Sequence, residues 1–113
     1  MKKDPVIFLE HILECIEFIE DYTKNVSKEE FLKSTQIQDA VVRRLEVIGE
    51  ASKNLLDEFK ELYSDIPWKK ILAMRNMLIH EYFAVNLNVV WKTVQENIPE
   101  LKEYVAKILK DYK

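Results

Sequence analysis

Glycine is almost missing from this chain: it occurs once, as Gly49, in 113 residues. An average chain of this length carries about eight. Strand-rich folds turn on glycine at hairpin after hairpin, and dinucleotide-binding folds need a glycine-rich turn beneath a phosphate. Both are close to excluded, and a glycine-rich phosphate loop is impossible. Helices joined by short polar connections remain. At 113 residues the chain can fill one domain around one core. The expectation is a single all-α domain over residues 1–113, an antiparallel up-and-down helical bundle of four to five helices.

The chemical inventory is spare. Cys15 is the only cysteine, which removes multi-cysteine zinc sites and disulfide frameworks. His11 and His80 are the only histidines, so a histidine-built metal site has little to draw on and no metal is expected. The net charge is −3 and the pI about 5.5. Coating nucleic acid through a broad basic surface needs many cationic contacts. That mode is therefore disfavoured, whereas a small local site is not. No apolar run approaches the roughly 18 residues that suggest a membrane span. Charges interrupt the N-terminal apolar stretch, so it does not read as an export signal. With one free cysteine the expected location is the cytoplasm.

Capping residues and apolar spacing locate the helices. Asp4 and Pro5 open the first, over about residues 5–24, and Asn25 and Val26 break it. Ser27-Lys28-Glu29-Glu30 is a capping box for a short helix to about Lys33. The third helix is expected from about Gln36 to Leu62, interrupted by nothing except Gly49. A mid-helix glycine costs about 1 kcal/mol relative to alanine, and close approach of another helix is its expected use. Ile66-Pro67 starts a fourth helix, from Pro67 to about Tyr82. A fifth begins near Leu87, and Asn97-Ile98-Pro99 marks a kink or a restart before the last apolar stripe.

The helix from Pro67 to Tyr82 differs from the rest. Trp68, Ile71, Leu72, Leu78, Ile79 and Tyr82 share one face, with Arg75 at its centre. Ala73, Met74 and Met77 make the far side apolar too. A helix apolar nearly all round is buried on both sides. Either it is central in its own bundle, or its second side, with Met74 and Met77, meets a second copy of the chain in a two-fold homodimer. Arg75 on such a face needs a partner. Glu46 or Glu50 would make a structural ion pair; alternatively the guanidinium fork takes an anion such as phosphate. His80 lies about 140° further round the helix, so the two do not share a face unless the helix frays, the arginine reaches along it, or a partner supplies one of them. His11 shows no such pairing. Trp68 and Trp91 read as core. Arg43, Arg44, Lys69 and Lys70 read as solvated charges or as cations that steer RNA.

The run Arg75-Asn76-Met77-Leu78-Ile79-His80-Glu81-Tyr82 resembles the Arg-x-x-x-x-His motif of HEPN domains, with the added tyrosine of the HepT branch. Val42 to Ala51 is similar to the helix that precedes that motif. Ile66-Pro67-Trp68-Lys69-Lys70-Ile71 is similar to its entry, and Asn86 to Trp91 to the segment that follows. The resemblance implies a dimeric helical bundle whose motifs meet across the interface, often as a metal-independent ribonuclease. It implies Arg75 and His80 as catalytic residues, with Asn76 in support, and a toxin of a type VII-like toxin–antitoxin pair. The implied antitoxin is a small nucleotidyltransferase of the MntA type, which spends ATP to place AMP on Tyr82. The resemblance also allows a non-catalytic module that binds that nucleotidyltransferase or its nucleotide.

Overall fold

The computed structural model describes residues 4–81 and 84–112. Helix α1 runs over Pro5–Thr23, with the Asp4 carboxylate accepting from the Val6 N–H at 2.9 Å and Pro5 in the first turn. Asn25 turns the connection that follows with a positive φ of 60°, a conformation asparagine tolerates better than most residues. Helix α2 (Lys28–Lys33) is opened by a complete capping box between Ser27 and Glu30. Helix α3 covers Thr35–Lys53, α4 Asp57–Leu62, α5 Trp68–His80, α6 Leu87–Lys92 and α7 Ile98–Tyr112. Among the described residues there is no strand, and no helix is long and apolar enough to cross a membrane.

The core is aliphatic. Leu9, Ile12, Ile16 and Ile19 of α1 pack with Val41, Leu45 and Ile48 of α3 and with Leu101, Val105 and Ile108 of α7. Phe31 of α2 closes one end, its ring 5.2 Å from that of Trp91. Helix α1 packs on α3 and α7, and the extensive packing of α5 is against α3. This leaves α3 between α1 and α5.

The third helix does not continue to Leu62. Two polar side chains take over the carbonyls at its end. Ser52 Oγ donates to the Ile48 carbonyl at 2.8 Å, and Asn54 Nδ2 to that of Glu50 at 2.9 Å. Such side chains give the backbone an alternative to further helical turns. Leu56 is then extended, at φ −68° and ψ 148°, before α4 begins. Turning there still buries both Leu55 and Phe59. The kink expected near Pro99 takes the form of a π turn over Thr93–Asn97, in which the Ile98 N–H donates to the Thr93 carbonyl. Proline lacks an N–H and crowds the preceding turn, and the wider turn precedes it directly.

Helix α5 is an outer helix, not a central one. Leu78 is its one fully buried residue, whereas Lys69, Ala73, Asn76, Ile79 and His80 are exposed. Its rotation is set by Gly49. A Cβ at that position would overlap the Cβ and Cγ of Arg75, so the absent side chain is what lets the two helices close. With Arg75 over Gly49, Ile71 and Met74 turn inward beside a 230 Å³ apolar cavity that Leu45, Leu101 and Tyr104 also line. This corrects the expected outward placement of Met74. Met77 is likewise half-buried and packed on the core.

Candidate active site

The motif occupies the second half of α5. Arg75 emerges at the α3–α5 seam, and its side chain is 19% exposed. Its Nη2 lies 2.8 Å from Glu50 Oε2 and its Nε donates to the same oxygen at 3.1 Å. Of the two expected acidic partners, Glu50 is the one that pairs. Nη1 donates to Asn76 Oδ1 at 2.9 Å. An arginine carries five N–H donors and no acceptor. These contacts leave an N–H on each terminal nitrogen uncommitted among the described residues, so the ion pair and an anion site are compatible.

Asn76 ties the guanidinium to the helix stripe that carries His80. Residues four apart on a helix are surface neighbours, so Asn76 and His80 share the outward stripe of α5. Arg75 does not share it by periodicity. Its side chain reaches the stripe by bonding to Asn76. His80 is the last residue of α5 and is exposed. The arrangement offers a titratable imidazole and a held guanidinium on one open surface. Tyr82 lies outside the described residues. Among the described residues no group of three or more histidine, cysteine or acidic side chains could hold a metal ion.

The remaining candidates are dispersed. Arg44 lies on the α1 side of α3, its guanidinium 4.2 Å above the Phe18 ring. Hydrogen bonding to Tyr22 and Cys15 holds it further above the ordinary arginine range, and burial pushes the Cys15 thiol up. Arg43 is exposed on α3, and Lys69 and Lys70 are exposed in the first turn of α5. Trp68 donates its indole N–H to the Tyr63 carbonyl at 3.1 Å and packs near Phe59, and Trp91 packs on Phe31. Both serve the core, as their spacing suggested. His11 is exposed on α1. Lys53 and Lys60, which are not among the expected RNA contacts, share a groove with Lys69 and Lys70. Nothing in linear spacing joins these two pairs, because they lie on either side of the turn that precedes Trp68.

A family model described as ribonuclease HepT-like matches residues 12–108. "Probable ribonuclease HepT" of Thermococcus cleftensis is 48% identical over 97% of this chain and 100% of its own length. "Putative RNase TTE0752" of Caldanaerobacter subterraneus is 49% identical over 98% of this chain and 99% of its own. "Gamma-glutamylcyclotransferase and putative RNase MJ0434" of Methanocaldococcus jannaschii is 51% identical over 98% of this chain, which spans 50% of that longer relative. No solved structure gives a significant match. Motif, helical fold and relatives agree: the chain belongs to the HepT-like ribonuclease family.

Proposed function

We propose that the chain is a metal-independent endoribonuclease, active as a two-fold homodimer in the cytoplasm and the toxin of a toxin–antitoxin pair. The observation that carries this reading is the guanidinium of Arg75, tethered by Glu50 and Asn76 on the exposed stripe that also bears His80. Cleavage without a metal uses the substrate's own 2′-hydroxyl as nucleophile. It needs a base for that hydroxyl, an acid for the leaving oxygen and a cation for the phosphorane. One chain supplies a single His80 and a single Arg75 to this stripe, and two chains meeting through the outward face of α5 supply a pair of each.

In this mechanism His80 removes the 2′-hydroxyl proton. The 2′-oxygen attacks phosphorus, and the bond to the 5′-oxygen breaks. That oxygen takes a proton from His80 of the partner subunit. The product is a 2′,3′-cyclic phosphate and a 5′-hydroxyl. An imidazole can accept a proton at one ring nitrogen or give one up, so His80 and its copy can fill the two roles. Arg75 directs its uncommitted N–H groups at the phosphate oxygens, while Glu50 and Asn76 keep it in place.

Silencing follows through Tyr82 and a nucleotidyltransferase partner. The tyrosine oxygen attacks the α-phosphorus of ATP, pyrophosphate departs and the phenolic proton goes to solvent. Tyr82 is two residues from His80 in the sequence, and in this reading the AMP it carries competes with the substrate.

The test is cleavage of matched RNA and DNA oligonucleotides in the presence of a chelator, with mass analysis of the ends. The reading expects RNA to be cut to 2′,3′-cyclic ends and DNA, which lacks the nucleophile, to survive. Cleavage of both, or loss of activity on chelation, would point to different chemistry. The acidic net charge of −3 favours a second reading, a non-catalytic module that binds the nucleotidyltransferase or its nucleotide. Under it, neither oligonucleotide is cut.

A further inference from the structure

A groove of 640 Å³ lies where the end of α3, helix α4 and the start of α5 converge. Lys53, Lys60, Lys69 and Lys70 line it, with Asp57 and Glu61 as its only carboxylates. None of the four lysines is in an ion pair among the described residues. An excess of unpaired cations is unusual on a chain whose net charge is −3. Two of them also stand where helix electrostatics disfavour them. Lys69 and Lys70 are in the first turn of α5, which holds no acidic residue, and the positive end of a helix dipole repels cations. Lys53 and Lys60 stand in the last turns of α3 and α4, where a cation is favoured, but helix electrostatics do not account for Lys69 and Lys70.

Through Lys69 the groove reaches the stripe of α5 that carries the motif. On α5, Lys69 precedes Asn76 by seven residues and His80 by eleven, positions that return to one stripe at 3.6 residues per turn. All three side chains are exposed. The axial distance from Lys69 to His80 is about 16 Å, a span of a few nucleotides. A strand whose scissile phosphate sits at Arg75 and His80, in the cleft between two chains, leaves that cleft beside the dimer contact and passes the Lys69 end of α5, where its neighbouring phosphates meet the lysines.

Resting on the ribonuclease reading above, we infer that this groove is the track for the RNA backbone flanking the scissile phosphate. Lys53, Lys60, Lys69 and Lys70 act as phosphate contacts that position the strand and carry no sequence information.

Binding is read by fluorescence anisotropy with a labelled 12-nucleotide 2′-O-methyl RNA, which lacks the 2′-hydroxyl nucleophile, across a salt series. Each phosphate contact on a single strand contributes about 0.7 to the slope of log K against log salt. The double variant Lys53→Gln/Lys69→Gln alters two exposed side chains, so its fold is expected to hold. It should lower the slope by about 1.4 and weaken binding about 25-fold at 0.1 M salt. Lys53→Arg/Lys69→Arg should bind as the parent does. A Gln variant with unchanged affinity and slope, beside a parent that binds and cuts RNA, overturns the track and leaves the ribonuclease reading intact. A parent that neither binds nor cuts RNA overturns both. Unchanged RNA binding together with lost binding of a nucleotidyltransferase partner assigns the groove to protein docking and overturns the inference.

Discussion

Arg75 crosses α3 over the bare Cα of Gly49, and that crossing fixes which residues of α5 face outward. A side chain at 49 would occupy the volume of the Arg75 Cβ and Cγ. The only glycine in the chain is therefore part of how the motif is presented, although it contributes no chemistry.

Gly49→Ala tests this directly. Alanine gains about 1 kcal/mol in helix propensity, but overpacking a closed seam costs about 1–3 kcal/mol. The expected net result is a loss of around 1 kcal/mol, or a fall in Tm of roughly 4 °C. Cleavage should fall further than stability does, because Arg75 is displaced. Thermal melts and initial rates on one preparation check both. A variant more stable than the parent, with full activity, would show that the helices do not close on this residue.

Glu50 should matter more for position than for stability. Its side chain is 52% exposed, and ion pairs in such surroundings are worth about 0–1 kcal/mol. Glu50→Gln is expected to leave Tm within a few degrees while cleavage drops, since Arg75 then keeps only neutral acceptors. Glu50→Asp, which keeps the charge on a shorter arm, should recover part of the loss. Equal activity in all three forms would remove Glu50 from the site.

The fold was legible in the sequence where local rules decide it. Asp4, Pro5 and the Ser27–Glu30 box gave helix starts that tertiary packing had no reason to override. The break at Asn54 was not legible, because Ser52 and Asn54 compete for carbonyls in a run whose apolar spacing continues through Leu55 and Phe59. In the site, spacing offered Arg75 either Glu46 or Glu50 as an acidic partner without choosing between them, and the structure pairs it with Glu50. The rotation of α5 could not be read from spacing. It depends on the Gly49 contact, and an apolar count on both faces placed Met74 on the wrong one. Lys53 and Lys60 were invisible for a similar reason, since a groove formed by three helices leaves no linear pattern.

The exposed stripe of α5 is the expected dimer face. Ala73 lies on it, and in a two-fold arrangement any charge placed there faces its own copy or a neighbouring turn. Ala73→Glu should give monomers by light scattering and abolish cleavage together with dimerisation. A dimer of undisturbed mass would place the interface elsewhere.

Modification by the nucleotidyltransferase and ATP should appear on Tyr82 and not on Tyr22, Tyr63, Tyr104 or Tyr112. Peptide mass spectrometry locates it, and Tyr82→Phe should resist it and remain active in the presence of the partner. An adduct on another tyrosine would take Tyr82 out of the regulatory role.

The most direct test is the single-turnover cleavage rate of His80→Ala against the parent, at matched concentrations of dimer. His80 is exposed at the end of α5, so its truncation should leave the melt and the oligomeric state unchanged. General acid–base catalysis contributes about 10²–10⁴ in rate, and a fall of that size is expected. A folded, dimeric His80→Ala protein that cuts RNA at the parental rate would contradict the catalytic role of the motif.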